Sequence, residues 1–203
     1  MILRVLCVLM MLMLPAAGSA ATIMIYGDSL SAGYGLPRQA GWTNLLLQRL
    51  HDENFDYKIV NASISGETTL GGKNRIAQAL SAHKPEIVIV ALGANDGLRG
   101  QNLDTMRANL DAIIQTCVKR NVRVLLVGMR LPPNYGAAYT EKFHAVFRDL
   151  ALRRKLPLVA FLLDGFADNA ALFQADGIHP AAQAQPLMLD NVWKILHPML
   201  RRQ

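Results

Sequence analysis

The stretch Thr22-Ile23-Met24-Ile25-Tyr26-Gly27-Asp28-Ser29-Leu30-Ser31 opens with a short apolar run and breaks at a Gly-Asp turn. A run of this length without polar alternation predicts a strand buried on both faces. Similar β-branched runs recur at residues 57–61, 87–92, 122–127 and 156–161. The segments between and after them carry helical spacing, at 42–50, 71–82, 103–120 and 138–153, with a last helix from 180 to 199. Pro180 is expected to open that last helix, where a missing N–H costs nothing, and Pro186 to kink it one turn later. Strand alternating with helix over short connections predicts an α/β fold: a parallel sheet covered by helices on both faces through right-handed crossovers.

In such a fold ligands bind beyond the carboxyl ends of the strands. Four groups of polar residues fall there: Ser29 after the first strand, Gly66 after the second, Asn95 after the third, and Asp176 with His179 after the fifth. The six serines are Ser19, Ser29, Ser31, Ser63, Ser65 and Ser81. Ser29, Ser31, Ser63 and Ser65 are the candidate nucleophiles, and Ser29 is favoured because it follows the Gly27-Asp28 turn, where a hydroxyl is held rigidly yet left open to a ligand. No Gly-x-Ser-x-Gly elbow is present, which argues against the α/β-hydrolase version of serine chemistry. The plain alternative is that Ser29 only caps the helix that follows.

Of the five histidines, His179 alone combines a loop setting, a nearby preceding carboxylate and a following proline. Asp176, three residues earlier, can fold back onto Nδ1 and leave Nε2 for a hydroxyl. His51, His83, His144 and His197 read as surface or helix-end groups. The N–H of Ser29, the N–H of Gly66 and the side-chain amide of Asn95 are three donors that could face a developing oxyanion. Asp28 and Asp96 read as turn-stabilising acceptors.

The first twenty residues read as a secretory signal peptide: Arg4, an apolar core at 5–14, and Gly18-Ser19-Ala20 before a cut after Ala20. The apolar run is about half of what a membrane-spanning helix needs, so no stable membrane anchor is expected. Cleavage leaves residues 21–203 as a single domain, exported to the periplasm or secreted. Its one cysteine, Cys117, lies on the apolar stripe of a helix and reads as a buried filler. The net charge of +6 becomes +5 when Arg4 leaves, and the basic residues are scattered, so no nucleic-acid partner is expected. The chain is expected to act as a monomer.

Gly27-Asp28-Ser29-Leu30, Gly66, Gly93-x-Asn95-Asp96 and Asp176-x-x-His179 resemble, in order and spacing, the four blocks of the GDSL/SGNH hydrolases. Tyr34-Gly35-Leu36, Asn61-Ala62-Ser63-Ile64-Ser65-Gly66-Glu67-Thr68, Gly97-Leu98-Arg99-Gly100 and Leu131-Pro132-Pro133-Asn134-Tyr135-Gly136 resemble its exported bacterial multifunctional acyl-CoA thioesterase, lysophospholipase and arylesterase branch. The resemblance implies a flavodoxin-like three-layer α/β/α sandwich with a five-stranded parallel sheet. It implies Ser29 as nucleophile, His179 as base and then acid, Asp176 as its orienter, and Ser29, Gly66 and Asn95 as the oxyanion hole. It also implies acyl ester, thioester or lysophospholipid substrates, with no metal and no other cofactor. The loop 129–136, with Leu131, Pro132, Asn134 and Tyr135, would line an acyl groove.

Three other readings stay open at this stage. An acetyl-sugar esterase could use the same residues. A metal-dependent phosphoesterase could gather Asp28, Asn95, Asp96, Asp176 and His179 around Mg²⁺ or Mn²⁺. A binding module would tolerate loss of the Ser29 hydroxyl.

Overall fold

The computed structural model describes residues 20–202, so the expected leader lies outside the described residues except for Ala20. Strands β1 (Ala21–Gly27), β2 (Tyr57–Asn61), β3 (Ile87–Ala91), β4 (Arg123–Val127) and β5 (Leu158–Val159) form one sheet in the order β2-β1-β3-β4-β5. Every pairing is parallel. This is the flavodoxin-like order. The helices are α1 (Ser29–Ala32), α2 (Trp42–Asp52), α3 (Thr69–His83), α4 (Ala94–Leu98), α5 (Leu103–Val118), α6 (Ala137–Arg154) and α7 (Gln185–Leu196).

Side chains alternate across a strand, so each buried run supplies two cores. Ile23, Ile25, Ile87, Ile89, Leu125 and Val127 pack with Trp42, Leu46 and Leu50 of α2 and with Met188, Val192 and Leu196 of α7. Met24, Tyr26, Val88, Val90, Val124 and Leu126 face the other way, against Ile76 of α3, Ile113 of α5 and Phe143 and Phe147 of α6. Cover on both faces is why the strands read as unbroken apolar runs. Cys117 is buried in the second core, and burial pushes its thiol up to about 12, which leaves it inert as a nucleophile. Among the described residues no helix is long and apolar enough to cross a membrane.

Two expectations change. The fifth strand shrinks from residues 156–161 to Leu158–Val159, because only Leu126 and Val127 of β4 pair with it. Pro157 has no N–H to extend the ladder, and the chain turns away after Val159. The last helix begins at Gln185, not Pro180. Pro180 instead bridges to Phe173, a 3-10 turn covers Ala182–Ala184, and Pro186 sits in the first turn of α7, where it disturbs nothing.

The chain leaves β1 to build β2 on one side and later β3 on the other. That reversal opens a crevice at the carboxyl ends of β1 and β3. Gly27 lies in register with Ala91, so the Asp28-Ser29 turn and the Gly93–Asn95 turn emerge side by side.

Candidate active site

Ser29 is the first residue of α1, and the cap is Asp28, whose carboxylate accepts from the Leu30 N–H at 3.1 Å. Asp28 is buried, and desolvation pushes its carboxyl up to about 7 against the lowering effect of the Leu30 N–H. On its far side α1 is held by Trp42, whose indole N–H donates to the Leu30 carbonyl at 3.2 Å. The Ser29 hydroxyl is thereby fixed at the edge of the sheet, half-buried and facing the crevice.

The Ser29 hydroxyl lies 2.9 Å from His179 Nε2, across 150 residues of sequence. His179 Nδ1 lies 2.7 Å from Asp176 Oδ2. The other carboxylate oxygen of Asp176 accepts from the backbone N–H groups of Ile178 (2.9 Å) and His179 (3.0 Å). The His179 backbone N–H, then its imidazole, then the Ile178 N–H hold the Asp176 carboxyl down to about 2. A carboxylate so placed keeps the proton of a neutral imidazole on Nδ1 and leaves Nε2 as the acceptor for the serine. Of the other candidate serines, Ser63 accepts from the Gly27 N–H at 3.1 Å, and the buried Ser31 hydroxyl has no partner among the described residues.

Gly66 takes φ +78, a conformation that favours glycine, in the loop between β2 and α3. Gly93 precedes α4 at φ +121, and a Cβ there would stand 3.0 Å from Met106 and 3.1 Å from Phe147. It lets the chain turn sharply enough to present Asn95. The Asn95 amide donates one N–H to the Glu67 carbonyl at 3.0 Å, which aims its second N–H. Within the described residues no acceptor takes the N–H of Ser29 or of Gly66.

A cavity of about 850 Å³ opens beside Ser29 and His179. Its walls are mainly apolar, with Leu98, Met129, Leu131, Pro132, Phe161 and Phe173 among them.

The chain matches the GDSL-like lipase/acylhydrolase family over residues 25–186. It belongs to that family. It is 45% identical over 192 residues to "Esterase TesA" of Pseudomonas aeruginosa, covering 95% of this chain and 96% of that protein. It is 40% identical over 184 residues to "Thioesterase 1/protease 1/lysophospholipase L1" of Escherichia coli K12, covering 91% of this chain and 87% of that protein. Among solved structures, the psychrotrophic esterase EstA from Pseudoalteromonas sp., in a structure inhibited by monoethylphosphonate, superposes with a TM-score of 0.84 at 37% identity, covering 88% of this chain and 97% of that one. Like other members of the GDSL-like family, the chain is a hydrolase.

The fold brings Ser29, Asp176 and His179 into one hydrogen-bonded line. Of the four loop residues expected at an acyl groove, Leu131 and Pro132 line the cavity, whereas Asn134 and Tyr135 do not. The Tyr135 hydroxyl donates to the Leu98 carbonyl at 3.1 Å, and this bond turns the ring toward α4. Sequence reasoning missed the lining supplied by Phe161, by residues 163–169 and by Phe173, because that segment follows the shortened strand and has no periodicity to read. It placed Tyr34 in the Tyr34-Gly35-Leu36 motif but gave it no role; its ring packs on His179.

The phosphoesterase alternative needs at least three of its ligands grouped at one point, and its acidic side chains are engaged elsewhere. Asp28 bonds the Leu30 N–H, Asp96 bonds Thr69 with both oxygens, and Asp176 serves the histidine loop. Among the described residues no three His, Cys, Asp or Glu side chains are grouped as a metal site would need.

Proposed function

We propose that this family member is a serine esterase and thioesterase that works through an acyl-enzyme on Ser29. The observation that carries the proposal is the 2.9 Å contact between Ser29 Oγ and His179 Nε2, with Asp176 at 2.7 Å behind the imidazole. As the Ser29 oxygen bonds to the acyl carbon, its proton passes to Nε2. Asp176 stays ionised and steadies the imidazolium. Negative charge collects on the former carbonyl oxygen, where the N–H groups of Ser29 and Gly66 and the Asn95 amide receive it. The bond to the alkoxide or thiolate breaks as Nε2 returns the proton to that leaving group. Water then attacks the acyl-enzyme, gives its proton to Nε2, and releases the carboxylic acid with Ser29 restored.

The mainly apolar cavity beside Ser29 suits an acyl chain, and the relatives named esterase, thioesterase and lysophospholipase support acyl esters, thioesters and lysophospholipids as substrates. A fluorophosphonate probe tests the reading. It should label the wild type with or without a chelator and fail on Ser29→Ala; labelling that survives this substitution removes the assigned nucleophile.

The leader motif supports export to the periplasm or beyond, with cleavage after Ala20. Cell fractionation and N-terminal sequencing of the exported chain test this, and a mature chain that begins at Met1 overturns it. One chain supplies every residue of the site, which supports action as a monomer. Light scattering at working concentration checks it, and a stable dimer mass refutes it.

A further inference from the structure

The donors assigned to the oxyanion sit on separate segments, Gly66 between β2 and α3 and Asn95 at the start of α4. Their spacing therefore depends on what joins the two segments. Asp96, next to Asn95, is 1% exposed and bonds Thr69, three residues beyond Gly66, twice: the Thr69 N–H reaches Oδ2 at 2.9 Å and the Thr69 hydroxyl reaches Oδ1 at 2.5 Å. The same hydroxyl accepts from the amide of the buried Asn109 at 3.3 Å, which roots the pair in α5. Nearer the site, the Asn95 amide donates to the Glu67 carbonyl at 3.0 Å and the Arg99 guanidinium to the Gly66 carbonyl at 3.1 Å.

We infer that Asp96 and Thr69 are positioning residues that clamp the Gly66 and Asn95 donors at one spacing. The inference rests on the oxyanion reading proposed above. A buried carboxylate is costly to desolvate, and an apolar pair would fill the same volume without that cost. What an apolar pair lacks is direction. Two bonds from one carboxylate to one residue fix both distance and orientation, and donors act on a transition state only when already aimed. A carboxylate that did no more than cap the N-terminus of α3 would affect stability and leave turnover alone.

The test is a double-mutant cycle read as kcat and KM on a p-nitrophenyl acyl ester, with Tm measured for every variant. Asn95→Ala should lower kcat about 10²- to 10³-fold. Asp96→Asn and Thr69→Val should each lower kcat about tenfold or more with KM within about twofold. Thr69→Ser, which keeps the hydroxyl, should recover most of that loss. Asp96→Asn combined with Asn95→Ala should turn over no more slowly than Asn95→Ala alone, because the clamp acts through the amide it holds.

If Asp96→Asn does not fold, Thr69→Val paired with Asn95→Ala completes the same cycle. Asn95→Ala with the expected loss, alongside a Thr69→Val that lowers Tm but not kcat, overturns the clamp and leaves the oxyanion reading standing. Losses that multiply in the double variant do the same. Asn95→Ala with unchanged kcat overturns both.

Discussion

The ring of Tyr34 lies against the imidazole of His179, with centroids 4.5 Å apart and planes inclined by 35°. The tyrosine is 52% exposed, so the contact forms at the mouth of the site and not in the core. Gln174 joins the two loops that make it. Its amide donates to the Tyr34 carbonyl at 2.8 Å, and its backbone N–H donates to the His179 carbonyl at 2.7 Å. The imidazole is thus held by Asp176 along one edge and by Tyr34 across one face.

Removal of the ring should loosen the histidine without touching the acyl cavity. Tyr34→Ala is expected to lower kcat about threefold to tenfold, the scale of an aromatic pair, while Tyr34→Phe stays near wild type. Steady-state kinetics on one ester decide this. Equal losses in both variants would show that the hydroxyl, not the stacked ring, matters.

Asp176→Asn keeps the shape of the loop but permits the imidazole to carry its proton on the wrong nitrogen. Its kcat should fall about 10³- to 10⁴-fold, measured with active-site titration to correct for misfolded enzyme. With its carboxyl held near 2, Asp176 remains ionised through the whole working range. The acid limb of the pH–rate profile therefore does not belong to Asp176. A loss of activity confined to pH values near 2 would contradict this.

Asp28 has the opposite sign. Its carboxyl is raised by burial to about 7, so between the ordinary carboxylate range near 4 and about 7 the folded chain holds a proton that the unfolded chain has released. Stability should fall as pH rises through that window, with this group contributing a slope of about 1.4 kcal/mol per pH unit at most. Asn can still accept the Leu30 N–H, so Asp28→Asn should flatten the slope. Urea denaturation at pH 5 and pH 7 on both proteins measures it, and parallel curves would show that Asp28 does not titrate there.

The walls of the cavity predict a chain-length preference. Each methylene of an acyl chain buried there is worth about 0.8 kcal/mol, so kcat/KM should rise about fourfold per methylene until the chain outgrows the cavity. Phe161→Ala removes a lining ring from the cavity and should flatten that rise for long esters while sparing acetates. A p-nitrophenyl ester series on both proteins provides the comparison. An unchanged profile would place the acyl chain elsewhere.

Several features of this protein could be read locally. Strands covered on both faces need uninterrupted apolar runs, so the runs starting at Thr22 and Ile87 point by themselves to a parallel sheet. Asp176 and His179 are three residues apart around a glycine, and a bend of that length brings their side chains together whatever the rest of the chain does. The start of the last helix is harder to read, since Pro180 suits a first turn and Pro186 then looks like a kink inside the helix. The choice fell to Pro186 because Pro180 is held by its bridge to Phe173.

By itself, then, the sequence determined the alternation of buried strands and helices, the Asp176–His179 pair and the short roster of residues placed after strand ends. Each of these is a short-range property of the chain. Only the tertiary structure decided that β1 runs between β2 and β3, that Ser29 meets His179 across 150 residues, and that Phe161 and Phe173 rather than Asn134 and Tyr135 line the cavity with Leu131 and Pro132. The physical reason is that periodicity shows which face of an element is buried but not what buries it. Strand order and loop approach depend on how the helices pack over the crossovers, a property of the assembled core that no single window of residues carries.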